Sequence, residues 1–391
     1  MLGSLFRGEN ELRNSSSNNL YVIPVLSKAL DVLELLQSEG HPHTLDEIYK
    51  QTGISKSTVY RILKTYAHRG YVAQTGTGAY RLVSRPRKMR FGFGSQSADM
   101  PFSVAVTESL KAAASSAGVD LAILDNKYDA TTALQNAEEF VRERVDLVVE
   151  FQIDQQIAPV IADKISGAGI PMIAVDIPHP HATYFGVNNY RVGFEAGACL
   201  AQHAKETWGG KVSWVLGIDI EEAGPLVQSR IKGAFAGIRL QFPEMRDEAF
   251  VLVDGQGLRK RSYELTAEFL RNHKKDQGIL VAAATDTSAL GAVEAVREAK
   301  REKQVAIVGQ DCIPEAIDEM RRRGTPLVGS VSHEAAHYGP RLIHLGLLIL
   351  RGETVAPYNY IQHRLVTPAS LKKSNAPATK PTLVAAAAAR K

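Results

Sequence analysis

At 391 residues, with 45% apolar and 23% charged side chains, the chain is long enough for two or three globular domains. Its two cysteines, Cys199 and Cys312, have no paired spacing, which argues against a disulfide framework or a zinc site and fits a reducing compartment. The formal net charge of +4 hides an asymmetry: residues 1–90 carry 13 Lys and Arg against 7 Asp and Glu, residues 91–369 carry 28 against 35, and the tail from 370 adds 5 cations. A basic front joined to an acidic body predicts that a polyanion meets the N-terminal part.

No run of 18 apolar residues exists, and residues 1–19 are polar, without the apolar core of a signal peptide. The sequence therefore predicts a cytoplasmic protein with no membrane association. Residues 1–19 and 370–391 lack apolar periodicity and are predicted to be disordered.

In the segment 20–83, Val25 to Leu36 places apolar side chains at Leu26, Leu30, Leu33 and Leu36 or Leu35, the spacing of one helix face, and Gly40 lies just past its end. Thr44-Leu-Asp-Glu47 has the form of a capping box, so a second helix runs to about Thr52 and stops at Gly53. Ser55 is placed to cap a third helix whose Val59, Ile62, Leu63 and Tyr66 face inward, leaving Lys56, Ser57, Tyr60, Arg61 and Lys64 outside. A tight turn between the last two helices is the helix-turn-helix arrangement, whose second helix enters the major groove. Tyr71 to Gln74 and Ala79 to Val83 flank Thr75-Gly-Thr-Gly78 and read as a β-hairpin wing.

Val25-Leu-Ser-Lys-Ala-Leu-Asp-Val-Leu-Glu-Leu-Leu, Ser55-Lys-Ser-Thr-Val-Tyr-Arg-Ile-Leu, and Gly70-Tyr-Val followed by Tyr80-Arg-Leu resemble the DNA-binding domain of IclR-type regulators. The resemblance implies that Ser55, Lys56, Ser57, Thr58, Tyr60 and Arg61 contact double-stranded DNA, with Lys64 on the same surface and Thr75 on the wing. A protein-interaction module is the competing reading of a small basic domain. The agreement of cap, turn, wing and charge favours DNA.

Residues 84–90 read as a basic linker able to lie on phosphates or simply to connect. Beyond it, strand-like runs at 89–93, 120–124, 147–150, 172–176, 211–216, 249–253, 278–283 and 305–310 alternate with amphipathic helices, which predicts two doubly wound parallel sheets. Gly92-Phe-Gly-Ser-Gln-Ser97 is an incomplete dinucleotide fingerprint, with Ser97 in place of the third glycine, so no nucleotide cofactor is expected. His179-Pro-His181 lacks a third metal ligand, and no metal is expected either.

Residues 88 to about 365 resemble the type I periplasmic-binding-protein fold in its sugar-binding branch, through Met100-Pro-Phe-Ser-Val, Gly169-Ile-Pro-Met-Ile-Ala-Val-Asp176, Gly186-Val-Asn-Asn-Tyr-Arg-Val-Gly-Phe-Glu-Ala-Gly197, Ser229-Arg-Ile-Lys-Gly-Ala-Phe, Ala284-Thr-Asp-Thr-Ser-Ala-Leu-Gly-Ala292, Val308-Gly-Gln-Asp311 and Gly329-Ser-Val-Ser-His333. The resemblance implies an α/β ligand-binding domain over 91–369, with lobe 1 at 91–189 and 334–360 and lobe 2 at 190–333 and 361–369. Three crossovers near Asn189, His333 and Tyr360 would flank a ligand cleft. Phe102 is then the platform for a sugar ring, and Asp176, Asn189 and Asp311 are the hydroxyl partners. The pattern departs from the family at Ile177, where an arginine is common, and at Gln228, Thr285 and His333, which replace an arginine, an asparagine and a glutamine. These losses of donors point to a different or less polar ligand, such as a modified sugar or another small metabolite.

A winged DNA reader joined to such a sensor is the plan of a one-component transcription regulator, parallel in outline to the LacI/GalR regulators. A homodimer presenting two readers to operator half-sites, with the ligand altering their spacing, is the expected mechanism. A ligand-independent DNA-binding structural protein and a sugar-acting enzyme are the alternatives, the latter lacking a persuasive acid-base pair.

Overall fold

The computed structural model describes residues 23–38, 40–83 and 88–374. The disorder expected for residues 1–19 and for 375–391, and most of the linker, lie outside these. The chain divides into two compact units, with the boundary between Arg87 and Lys88.

The first unit contains α1 (Pro24–Ser38), α2 (Leu45–Thr52), α3 (Lys56–His68) and a hairpin of β1 (Val72–Gln74) and β2 (Tyr80–Leu82). The capping box forms as written in the sequence: the Thr44 hydroxyl accepts from the Glu47 amide at 3.3 Å, and the Thr44 amide donates to Glu47 Oε2 at 2.7 Å. Gly53 closes α2 in the left-handed region at φ 69°, which turns the chain into α3.

Two local expectations are corrected. Ser55 stands at the N-cap of α3 but makes no side-chain bond to the helix backbone; its hydroxyl pairs instead with Thr58 Oγ1 at 2.9 Å. In α1 the buried side chains are Val32 and Leu36, while Leu26 and Leu30 are 54% and 47% exposed. The Leu-rich α1 offers two apolar stripes, and α3 selects between them, because Tyr66 donates its hydroxyl to the Ala29 carbonyl and draws that side inward.

The second unit alternates strand and helix from β3 (Arg90–Ser95) onward. One lobe holds β3, α4 (Pro101–Ala117), β4 (Asp120–Asp125), α5 (Ala130–Arg142), β5 (Leu147–Glu150), α6 (Ala158–Gly167), β6 (Met172–Val175) and β7 (Thr183–Gly186). The chain then crosses to α7 (Asn189–Trp208), β8 (Trp214–Asp219), α8 (Gly224–Gln241), β9 (Phe250–Asp254), α9 (Arg259–Asn272), β10 (Ile279–Ala283), α10 (Asp286–Glu298), β11 (Val305–Asp311), α11 (Pro314–Met320) and β12 (Leu327–Ser332). It returns as α12 (Tyr338–Leu350) and β13 (Tyr358–Tyr360), and crosses a third time to β14 (Arg364–Val366) and α13 (Pro368–Ser374). The tail expected to be disordered from 370 thus begins inside a helix.

The first sheet runs β13-β7-β6-β5-β3-β4, all parallel, and the second β14-β12-β11-β10-β8-β9, parallel except for β14. Such strands are covered by helices on both faces and read as apolar runs, as β10 does, while β5 is buried throughout and ends in Glu150. Because the three crossings leave from β7, β12 and β13, they all lie at the same edge of the two sheets. The loops at the carboxyl ends of the strands face each other across a cleft. Two hydrogen bonds span it: the Tyr128 hydroxyl donates to the Gln256 carbonyl at 3.1 Å, and the main-chain N–H of Gln155 donates to the Glu222 carbonyl at 2.9 Å.

Gly92 and Gly94 of the fingerprint-like segment lie within β3, where an added Cβ would strike the Phe140 ring and the Glu150 carboxyl. They are packing glycines. Arg90, assigned to the linker, begins β3 and is committed to Glu143 at 2.7 Å and Asp120 at 3.5 Å.

Candidate functional site

On the first unit, Lys56, Ser57, Tyr60, Arg61 and Lys64 emerge from α3 on the side opposite Val59, Ile62 and Leu63, with Ser55 at its start and Thr58 half-buried. Lys56 pairs with Asp46 of α2 at 2.5 Å, and the Lys64 ammonium lies 5.5 Å from the centre of the Tyr60 ring. Thr75 opens the wing turn, its hydroxyl 2.8 Å from that of Thr77. A surface of hydroxyls, a phenol and cations on one exposed helix has the chemistry of phosphate and base-edge contact.

The cleft of the second unit holds a cavity of about 60 Å³ whose walls include Phe102, Asp176, Thr285 and Asp311, four of the seven residues singled out from sequence. Asp176 follows β6 with φ 60°, and Asp311 ends β11 with φ 100°. Both are left-handed, a conformation costing a non-glycine residue on the order of 1–3 kcal/mol and concentrated at functional sites. One Asp176 carboxylate oxygen, Oδ1, is buried without a hydrogen-bond partner. Burial raises the Asp176 pKa to about 6 against the opposing pull of Arg230. Asp311 is raised well above the usual carboxylate range by burial, with Asp286 and Asp176 adding to it and Arg230 opposing.

Asn189 and His333 stand behind the cavity wall. Asn189, the first residue of α7, accepts from Arg230 Nε at 2.6 Å through its Oδ1. His333 is fully buried, with Nε2 3.1 Å from Gln310 Oε1 and Nδ1 3.3 Å from Asp311 Oδ1. Burial, and then the Arg230 charge, push the His333 pKa well below its ordinary value, which disfavours a charged imidazole beside Asp311. Phe102 meets His333 and Tyr338 edge to face at 5.8 and 5.5 Å, so its ring is fixed from behind. Gln228 lies outside the cavity, its amide donating to the Glu221 carbonyl at 3.3 Å.

Arg230, which is absent from the candidate ligand residues named from sequence, supplies the cleft with a cation. It is buried, lines the cavity, and donates to Asn189 and, through Nη1, to the Ala284 carbonyl at 3.1 Å. It arrives there because α7 and α8 pack backbone to backbone. Gly193 and Gly197 face the carbonyls of Arg230 and Ala234, and Gly233 and Gly237 face those of Tyr190 and Phe194, where any Cβ would collide. Four glycines at i, i+4 spacing on two successive helices are the signal that could have found this crossing. Tyr128, Phe151, Ile177, Ile220 and Val227 also line the cavity, most of them just beyond strand ends.

His179 is buried with Nδ1 2.9 Å from the Ile177 carbonyl, and burial lowers its pKa to about 4, so its ring serves the loop after β6. Among the described residues no helix is long and apolar enough to cross a membrane.

The family model described as a periplasmic binding protein domain matches residues 91–354, and that of the IclR helix-turn-helix domain matches residues 25–76. Neither is an enzyme family. No curated protein sequence matches the chain. Among solved structures, an ABC transporter periplasmic solute binding protein from Actinobacillus succinogenes 130z with bound D-allose is 17% identical, with TM-score 0.62, covering 73% of this chain and 100% of its own. A solute binding protein from Mycobacterium smegmatis with bound glycerol is 20% identical, with TM-score 0.65, covering 73% and 96%. A third, from Bacillus halodurans C-125 with bound myo-inositol, is 20% identical, with TM-score 0.63, covering 75% and 99%. At these identities the likeness establishes the two-lobed fold. The chain belongs to the periplasmic binding protein domain family and carries, ahead of that domain, an IclR helix-turn-helix domain.

Proposed function

We propose that the protein is a cytoplasmic, ligand-responsive transcription regulator whose second unit binds a carbohydrate and whose first unit binds an operator as part of a homodimer. The observation that carries this reading is the cleft itself: two left-handed aspartates and a buried arginine line one cavity, a set of acceptors and donors of the kind that sugar hydroxyls pair with. Solved relatives of the fold hold D-allose and myo-inositol, which supports a polyhydroxylated ligand. The helix-turn-helix gives that binding event an output. Ligand that closes the lobes differs in affinity between open and closed forms, and such coupling is typically about 1–3 kcal/mol.

The test is electrophoretic mobility shift on DNA selected by the full-length protein from a random pool, with and without a panel of sugars and polyols. Selection of a two-fold repeat and a shift in affinity of about 5-fold or more with a member of the panel are expected. Sequence-specific binding that no sugar alters would assign the chain to ligand-independent DNA binding instead.

A further inference from the structure

The order of strands in the two sheets places the loops that line the cleft, and part of that lining is apolar. Counting from the crossing edge, β6 and β11 are the third strands of their sheets, and their ends supply Asp176 and Asp311. The β5 loop lies one strand farther out in its sheet and brings Phe151 and Ile153; β8, two strands beyond β11, is followed by Ile220 and then by Ala223 and Val227 at the start of α8. Arg230, one turn after Val227, reaches back toward the crossing at Asn189.

The outer wall is dry. Ile153, Ile220 and Val227, together with Ile177 beside Asp176 on the inner side, are each at most 5% exposed, and none has a polar side-chain atom. Gln96, Thr285 and Thr287 add polar atoms elsewhere in the lining, while two other polar residues are spent on the protein: Gln152 closes both ends of its amide on Asp154, and the Tyr128 hydroxyl is held by the Gln256 carbonyl. A sugar hydroxyl aimed at the isoleucine wall would lose its water and gain no partner.

We propose that the ligand is a carbohydrate with one deoxygenated edge, such as a 6-deoxyhexose, held with its hydroxyls toward Asp176, Arg230 and Asp311 and its methyl-bearing edge against Ile153, Ile220 and Val227. This rests on the carbohydrate-sensing reading above and narrows it. A methyl group in an apolar wall discriminates by about 10- to 200-fold.

The experiment is isothermal titration of the full-length protein with D-fucose against D-galactose and L-rhamnose against L-mannose. In at least one pair the deoxy sugar should bind about 10-fold or more tightly than its hydroxylated parent. Val227→Thr, close to isosteric and offering a hydroxyl, should narrow that preference several-fold, and its melting temperature checks that it folds. Parents binding as tightly as the deoxy sugars, or a preference that Val227→Thr leaves intact, would overturn the deoxygenated edge and leave carbohydrate sensing standing. Failure of all four sugars to bind, while another class of metabolite does, would overturn both.

Discussion

Arg230 of α8 and Asn189 of α7 meet through a 2.6 Å hydrogen bond from Nε to Oδ1, and this bond sets where the buried positive charge of the cleft lies. The guanidinium opposes the rise in pKa of both Asp176 and Asp311, so one cation serves two carboxyl groups from opposite lobes. Breaking a buried charged network by removing one partner typically costs about 3–5 kcal/mol. Arg230→Met should therefore destabilise the second unit by roughly that amount, read from urea unfolding. Asn189→Ala should cost less stability and weaken ligand binding about 10-fold, because a charge-assisted bond that orients Arg230 is lost.

Acids whose pKa is raised on folding make stability fall as pH rises. Asp176, Asp286 and Glu150 are buried, with pKa values pushed to about 6, 7 and 8, so the folded chain holds protons that the unfolded chain releases near pH 4. Their favourable contribution is complete below about pH 4 and is lost progressively up to about pH 8. Urea midpoints should decline across that window. Glu150→Gln, which keeps the bond donated by Asn126 Nδ2 at 2.8 Å to Oε1, should flatten the upper part of the decline. A wild-type midpoint rising from pH 5 to 8 would contradict the assignment.

The α7–α8 crossing has no room for a methyl group. Gly197→Ala should cost about 1–3 kcal/mol by overpacking, and should weaken ligand binding without any contact to ligand, since Arg230 moves with α8. An unchanged melting temperature together with unchanged affinity would show that the helices can separate freely.

Closure of the cleft draws on the bond from Tyr128 to Gln256. Tyr128→Phe removes it, and with a typical net value of about 1 kcal/mol the closed form loses roughly 5-fold in population. Ligand dissociation followed by stopped flow should accelerate by a similar factor, with little change in melting temperature of the ligand-free protein.

Arg61 is exposed on α3 and has no acidic partner within salt-bridge distance among the described residues. Arg61→Ala should weaken binding to the selected DNA and reduce the slope of log affinity against log salt by about 1 if the guanidinium meets a phosphate. Thr44→Ala, which removes the capping box of α2, should instead cost about 1 kcal/mol of stability in the first unit.

The fold was largely legible because it rests on local rules. The capping box needs only Thr44 and Glu47, and all eight strands named from the apolar runs are present. Strands of three residues, such as β13 and β14, carry too little pattern to be read and are defined by pairing with β7 and β12. The site was less legible. Gln228 and Arg230 differ by two positions, but at 3.6 residues per turn two positions are about 200° around a helix, which separates the outer surface from the cleft. Only the packing of α8 on α7 decides which face is which. His333 and Asn189 were chosen for their chemistry, and the structure puts that chemistry behind the wall, on Asp311 and Arg230.

The left-handed backbone at Asp176 and Asp311 has a consequence for how such a receptor changes its preference. Few side chains tolerate that conformation; aspartate, asparagine and glycine do so most easily. The two inner corners of the cleft therefore have a short alphabet, set by the main chain before any ligand is considered. Positions 177, 220 and 227 lie outside the left-handed region and bear no such restriction. In a library randomised at all five positions and selected for a new ligand, variation should collect on the isoleucine wall while the corners stay nearly fixed.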